Sequence, residues 1–328
     1  MEKTLFTSSI NMKIDNLNKF CKKLKSKLEN SSKILIVSHR KPDPDCLFSQ
    51  LALYYLLKKN YPTKTIILFN KDYFYEKDIL KNINDDLKLI QNKINESPNE
   101  IDLIIGIETT DEERLGLEKK FIDYNKVFII DHHASFSIKE SVYYLEENAD
   151  SCSVIIFKLA EFFNFKLTSK FKLNILTGII GDTVGLRYIK NKETFKILEK
   201  LYDEKIDLFA IIKKIYGFKF SEFKKLIFLI DKIKIYYKKR FMLIYLEKNK
   251  RIKRLGSFLE YLRLITDIET IALLVKKKNK IYGSLRSEKI NVGQIAKKLG
   301  GGGHKYSAGF ISELSVKKIV KYILNNLE

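Results

Sequence analysis

The chain has 328 residues, 45% hydrophobic and 12% aromatic, which is long for a single core and too apolar for a disordered chain. No apolar run approaches the roughly 18–20 residues that cross a bilayer, residues 1–17 lack the apolar centre of a signal peptide, and three scattered cysteines make no disulfide framework. These features point to two domains in a cytoplasmic protein with no membrane partner. The net charge of +21 is uneven: residues 201–328 hold 29 Lys or Arg against 12 Asp or Glu, and residues 1–200 hold 32 against 28. A module that handles polyanions would have such a tail, and so would a lysine-coated solvated surface.

Along the first half, short apolar runs recur: KILIVS (33–38), TIILFN (65–70), IDLIIGIE (101–108) and KVFIID (126–131). Segments of helical spacing separate them, among them CLFSQLALYYLLKK (46–59). Strands apolar on both faces that alternate with helices indicate a parallel sheet covered on both sides. Two more helical segments follow, SCSVIIFKLAEFFN and SKFKLNILTGIIGD. Residues 192–237 read as a helical connecting arm unbroken by proline. Strands are then expected at 241–247, 269–278 and 280–287, a helix at VGQIAKKL, a GGGGH loop at 300–304, and a last helix at VKKIVKYILNNL. The fold class is α/β: a parallel-sheet domain (1–190), a helical linker (191–237) and a smaller basic α+β domain (238–328).

In open parallel sheets, ligands bind outside the carboxyl ends of the strands. His39, Asp43 and Asp45 follow the first run, Glu108 ends the third, Asp131, His132 and His133 end the fourth, and Asp182 follows ILTGIIG. All four histidines of the chain (His39, His132, His133, His304) fall at strand ends or in the glycine loop, where a single histidine would count for little. Mixed carboxylate and imidazole donors suit Mn²⁺, Mg²⁺ or Fe²⁺, and six candidate ligands exceed the needs of one ion. Two ions sharing a carboxylate would serve displacement at phosphorus. Pro42 and Pro44 should hold Lys41 and Asp43 extended, so that Asp43 and Asp45 face one crevice. Asp45 also stands where an ordinary helix N-cap would.

HRKPDPD (39–45), DHH (131–133), GDTVGLRY (181–188), GSLRS (283–287) and GGGGHKYSAGF (300–310) resemble, in family order, the motifs of the DHH/DHHA1 phosphoesterases. The resemblance implies a two-metal, usually manganese-dependent enzyme (Mg²⁺ being the alternative) with an N-terminal DHH domain and a C-terminal DHHA1 substrate domain. It assigns His39 and Asp43 to one ion and Asp45, His132 and Asp182 to the other. Glu108 falls where the family has a bridging aspartate, Asp131 would orient its neighbours, and His133 would face the scissile phosphate. Arg286, Gly301, Gly302, Gly303 and His304 look like the family's substrate-phosphate contacts. Phe48 replaces a residue that is usually small. Cys46 replaces a common alanine and reads as a small core residue rather than a nucleophile.

The function so implied is hydrolysis of short nucleotide phosphodiesters to mononucleotides: linear dinucleotides such as pApA, very short RNA, and cyclic di-AMP as a related substrate. A 3′,5′-bisphosphonucleotide (pAp) phosphatase is the near alternative, and a non-catalytic nucleotide-binding protein the distant one. General nucleic-acid binding through the lysines would instead show steep salt dependence. The partner is a short oligonucleotide or dinucleotide, and homodimerisation is left open.

Overall fold

The computed structural model describes residues 12–14, 16–74, 84–109, 111–133, 138, 141–247 and 255–327. The chain divides into two compact units between Ile215 and Tyr216, inside the stretch expected to form a connecting arm.

The first unit is built on strands β1 (Met12–Lys13), β2 (Lys33–Ser38), β3 (Thr65–Phe69), β4 (Ile90–Gln91), β5 (Leu103–Ile107), β6 (Val127–Asp131) and β7 (Val142–Leu145). All pair in parallel, in the order β1-β7-β6-β5-β2-β3-β4. The four expected strands are β2, β3, β5 and β6; β1 and β4 are two residues long, and β7 (VYYL) lay outside the expectation. Every residue of β5 and β6 is buried, as strands covered on both faces require. Helices α1 (Leu17–Glu29), α2 (Pro44–Asn60), α3 (Glu112–Leu115), α4 (Cys152–Phe162), α5 (Ser169–Asp182) and α6 (Lys192–Leu201) belong to the unit, as do residues 208–215 of the helix that follows. Helix α2 packs against α4, α5 and the β2–β3 face, and Phe48 on it is fully buried, so that side chain turns into the core.

The order reverses at β2. Chain order runs outward to β3 and β4 on one side and to β5, β6 and β7 on the other, which makes the carboxyl ends of β2 and β5 a topological switch point.

The expected helical arm over 192–237 is interrupted. After α6 come α7 (Leu208–Tyr216) and α8 (Phe220–Ile227), and residues 233–236 form a strand, β8 (Ile233–Tyr236). Ile233 and Ile235 pack on the apolar cluster under the second sheet, which draws this segment out of helix. The second unit's sheet adds β9 (Phe241–Leu246), β10 (Thr270–Lys277), β11 (Lys280–Ser287), β12 (Gly301–His304) and β13 (Ser307–Ser312), in the order β12-β13-β11-β10-β9-β8. Only β9 and β10 pair in parallel. Phe241, Leu243, Ala272 and Leu274 bury one face against α10 (Val292–Lys298) and α11 (Val316–Leu324). Met242, Ile244, Ile271 and Leu273 bury the other against α8 and α9 (Leu255–Leu262). This is period-2 alternation with both faces covered.

The GGGGH stretch is not a loop: residues 301–304 are an edge strand folded back on β13. A Cβ on Gly301 would lie 2.0 Å from the Gly309 carbonyl, and one on Gly303 would lie 2.6 Å from the Ala308 Cα. The hairpin therefore requires those two glycines. A Cβ on Gly302 would meet nothing within 4 Å.

Candidate metal centre

His39, Glu108 and His132 sit at or just past the carboxyl ends of the adjacent strands β2, β5 and β6. His39 Nδ1 lies 2.8 Å from the Arg40 carbonyl, which turns Nε2 toward Asp43 (3.6 Å) and Glu108 (3.4 Å). His132 Nδ1 lies 3.2 Å from the Ala149 carbonyl, and its Nε2 faces Glu108 (3.3 Å) and Asp182 (3.5 Å). Fixing one ring nitrogen on a carbonyl leaves the other to act as a ligand.

Among the described residues of the first unit, two groups of candidate donor atoms have members within 4.8 Å of one another: His39, Asp43, Cys46 and Glu108, and Asp45, His132 and Asp182. Glu108 connects them, with Oε1 toward His132 and Oε2 toward His39. All six residues expected to hold metal are thus brought together.

The turn that carries Asp43 and Asp45 differs from expectation. Lys41 adopts φ 55°, in the left-handed region, rather than an extended conformation. Asp43 is extended and is itself the N-cap of α2, accepting a hydrogen bond from Cys46 N at 3.0 Å. Asp45 is therefore not the cap. It lies in the first helical turn, 1% exposed, and accepts bonds from Cys152 N (2.6 Å), Ser153 N (3.2 Å), Ser153 Oγ (2.5 Å) and Ser49 Oγ (3.2 Å). The amino end of α4 thus meets the carboxylate with backbone N–H groups, where a helix dipole favours an anion.

Those supports were absent from the sequence reading. Buried Asn70 was missed as well: its Nδ2 donates to Ser38 Oγ and to the His39 carbonyl, both at 2.8 Å, which locks the end of β2. The one local signal was a polar residue closing an apolar strand run, a common arrangement with no specificity.

Backbone strain gathers at the same place. Glu108 has φ 55°, and Val184, Gly185 and Leu186, just after Asp182, have φ of 52°, 70° and 69°. Such conformations cost of order 1–3 kcal/mol each in non-glycine residues and persist where surroundings over-determine them.

Electrostatically the cluster is incomplete without added positive charge. Burial, then the charges of Asp43 and Asp45, push the Glu108 carboxyl well above the usual carboxylate range. Burial, reinforced by Asp45 and Asp43 against the opposing pull of His132, moves the Asp182 carboxyl up to about 7. Glu108 Oε2 is buried with no hydrogen-bond partner among the described residues. Crowded carboxylates, two imidazoles and one orphaned oxygen aimed into their midst fit divalent cations.

Beside this cluster, Asp131 Oδ1 accepts from both the backbone N–H (2.9 Å) and the Nδ1 of His133 (2.6 Å). Burial alone would raise the Asp131 carboxyl, but its bonds to His133 outweigh that and hold it below the usual range. Asp131 thus orients His133.

In the second unit, Arg286 on β11 donates Nε to Glu260 Oε1 at 2.5 Å and Nη1 to the Leu285 carbonyl at 2.9 Å. Glu260 is 6% exposed and also accepts from Arg263 at 3.0 Å. No local pattern marks this pairing, because Glu260 lies 26 residues before Arg286. Gly301, Gly302, Gly303 and His304 are exposed along β12.

Residues 33–180 match the model of the DHH family N-terminal domain, and residues 238–327 match the DHHA1 domain. A probable bifunctional oligoribonuclease and PAP phosphatase NrnA of Streptococcus mutans is 24% identical over 88% of this chain and 92% of its own length. The bifunctional oligoribonuclease and PAP phosphatase NrnA of Mycoplasma genitalium is 26% identical over 87% of this chain and 90% of its own. The crystal structure of an exopolyphosphatase-related protein of Bacteroides fragilis superposes with a TM-score of 0.77 at 23% identity, over 94% of this chain and 95% of that one. With both domain models matched in order over most of its length, the chain belongs to the DHH/DHHA1 family.

Proposed function

We propose that the protein is a divalent-metal-dependent phosphodiesterase that hydrolyses short nucleotide substrates, linear dinucleotides and very short RNA, to mononucleotides. The observation that carries this is Glu108, whose two oxygens join the His39–Asp43 group to the His132–Asp182 group. His39 and Asp43 would hold one cation and Asp45, His132 and Asp182 the other, with Glu108 shared; the donor set suits Mn²⁺ or Mg²⁺. Bound there, divalent ions supply Lewis acidity, lowering the pKa of water and neutralising charge on phosphoryl oxygens.

The chain's own groups do the rest. Asp131 commits His133 Nδ1, so the imidazole works through Nε2 and donates to a phosphoryl oxygen as charge grows there. Ser49, Ser153 and the amino end of α4 hold the Asp45 carboxylate in one orientation. Arg286, steadied by Glu260, would grip a neighbouring phosphate, a bidentate contact that favours substrates of a few nucleotides. The open face of Gly302 would let backbone groups approach that anion.

A pAp phosphatase activity is the second reading, favoured by the NrnA relatives, whose names pair it with oligoribonuclease. A competition assay with pApA, short RNA, cyclic di-AMP and pAp under Mn²⁺ ranks these substrates. Turnover should vanish with chelator and in Asp182→Ala. Tight nucleotide binding without turnover would mean a non-catalytic binding protein.

A further inference from the structure

Resting on the metal-centre assignment above, we propose that Cys46 is a thiolate ligand to the cation held by His39, Asp43 and Glu108, and that this position therefore prefers a softer divalent ion, such as Zn²⁺, than its neighbour does. The Cys46 Sγ, a ring nitrogen of His39 and one carboxylate oxygen each of Asp43 and Glu108 all lie within 4.8 Å of one another. Cys46 is fully buried, and its backbone N–H is bonded to Asp43 Oδ1 at 3.0 Å, so its place relative to that carboxylate is fixed by the helix cap. Glu108, 1% exposed, points its Oε2, which lacks a hydrogen-bond partner among the described residues, into the same group.

Sulfur, nitrogen and two oxygens form a four-donor set of the kind that takes Zn²⁺ or Co²⁺, whereas the group of Asp45, His132 and Asp182 contains no sulfur. The Cys46 thiol donates to the His39 carbonyl at 3.9 Å, and burial pushes it up to about 11, so the sulfur gives up its proton only as a cation takes it. On binding, the thiol proton leaves to solvent and sulfur donates a lone pair, with no change of oxidation state. The other two cysteines serve as internal controls: Cys21 is buried on α1, and the Cys152 Sγ lies 3.5 Å from the Ile130 carbonyl, outside both donor groups.

The test loads the full chain with Co²⁺ and reads its absorption spectrum. Wild type should show visible d–d bands together with a near-ultraviolet sulfur-to-cobalt charge-transfer band. Cys46→Ala and Cys46→Ser should lose the charge-transfer band and keep the d–d bands, while Cys21→Ala and Cys152→Ala keep both. In competition titrations, Cys46→Ala should lose roughly tenfold or more of its preference for Zn²⁺ over Mn²⁺. A wild-type spectrum with d–d bands but no charge transfer, or a charge-transfer band that survives in Cys46→Ala, overturns the thiolate and leaves the metal centre standing. Absence of any d–d band removes both.

Discussion

Glu108 sets one carboxylate oxygen 3.3 Å from Nε2 of His132. Its other oxygen reaches His39 at 3.4 Å, so one side chain faces both donor groups. Glu108→Gln keeps the shape and removes the charge. Divalent-ion affinity should fall by at least the roughly 10–100-fold that loss of even an outer partner costs, measured by calorimetric titration. In chelator at pH 8 the variant should melt no lower than wild type, because a buried carboxyl without a cation is itself a burden. Unchanged ion affinity would remove Glu108 from the centre.

Asp182 predicts a pH signature in the ion-free protein. Its carboxyl titrates near 7 in the fold, above its ordinary value of 3.8, so the fold disfavours its charged form. Stability from this group is intact below about 4 and declines as the pH rises toward 7. The side chain is 27% exposed, so solvent moderates the effect. In chelator, the Tm of Asp182→Asn should gain on that of wild type between pH 5 and 8. With Mn²⁺ added, the order should reverse. A constant Tm difference across that range would contradict the assignment.

The glycine strand separates structure from function by position. Gly301→Ala places a methyl carbon 2.0 Å from a backbone oxygen and should destabilise the second unit by about 1–3 kcal/mol. Gly302→Ala meets nothing and should leave urea unfolding unchanged. It should nevertheless raise KM for dinucleotides about tenfold by blocking the approach of a phosphate. An unchanged KM would confine the glycines to hairpin geometry.

Glu260 and Arg286 should respond asymmetrically. Glu260→Ala strips a buried carboxylate from both Arg263 and Arg286 and should cost roughly 3–5 kcal/mol in equilibrium unfolding. Arg286→Ala leaves Glu260 paired with Arg263 and should cost less, while raising KM for dinucleotides with metal content unchanged. Lost metal in Arg286→Ala would undo its assignment to substrate.

The alternation of apolar runs and helical segments was enough to determine a parallel sheet, because burial on both faces leaves little freedom in residue choice; β5 and β6 show it plainly. The candidate metal donors were legible for a related reason. Strand ends deliver side chains to one edge of such a sheet, and this chain spends all its histidines at such ends or in the glycine strand. The short strands β1 and β4 could not be read, since two residues carry no period. Residues 233–236 were misassigned because their pairing with β9 depends on a core formed by distant residues.

Asp45 shows most clearly what tertiary structure alone decided. Its sequence position suits a helix cap, yet the cap is Asp43, and Asp45 is held instead by Ser49 and by Cys152 and Ser153, 107 and 108 residues further along the chain. Likewise Cys46, a packing residue by composition, lies among three candidate metal donors because β2 and β5 are neighbours in the sheet. Local sequence determines which residues can end a strand or cap a helix. Which of them share a donor group depends on strand order and helix packing, long-range contacts that no short window of sequence encodes.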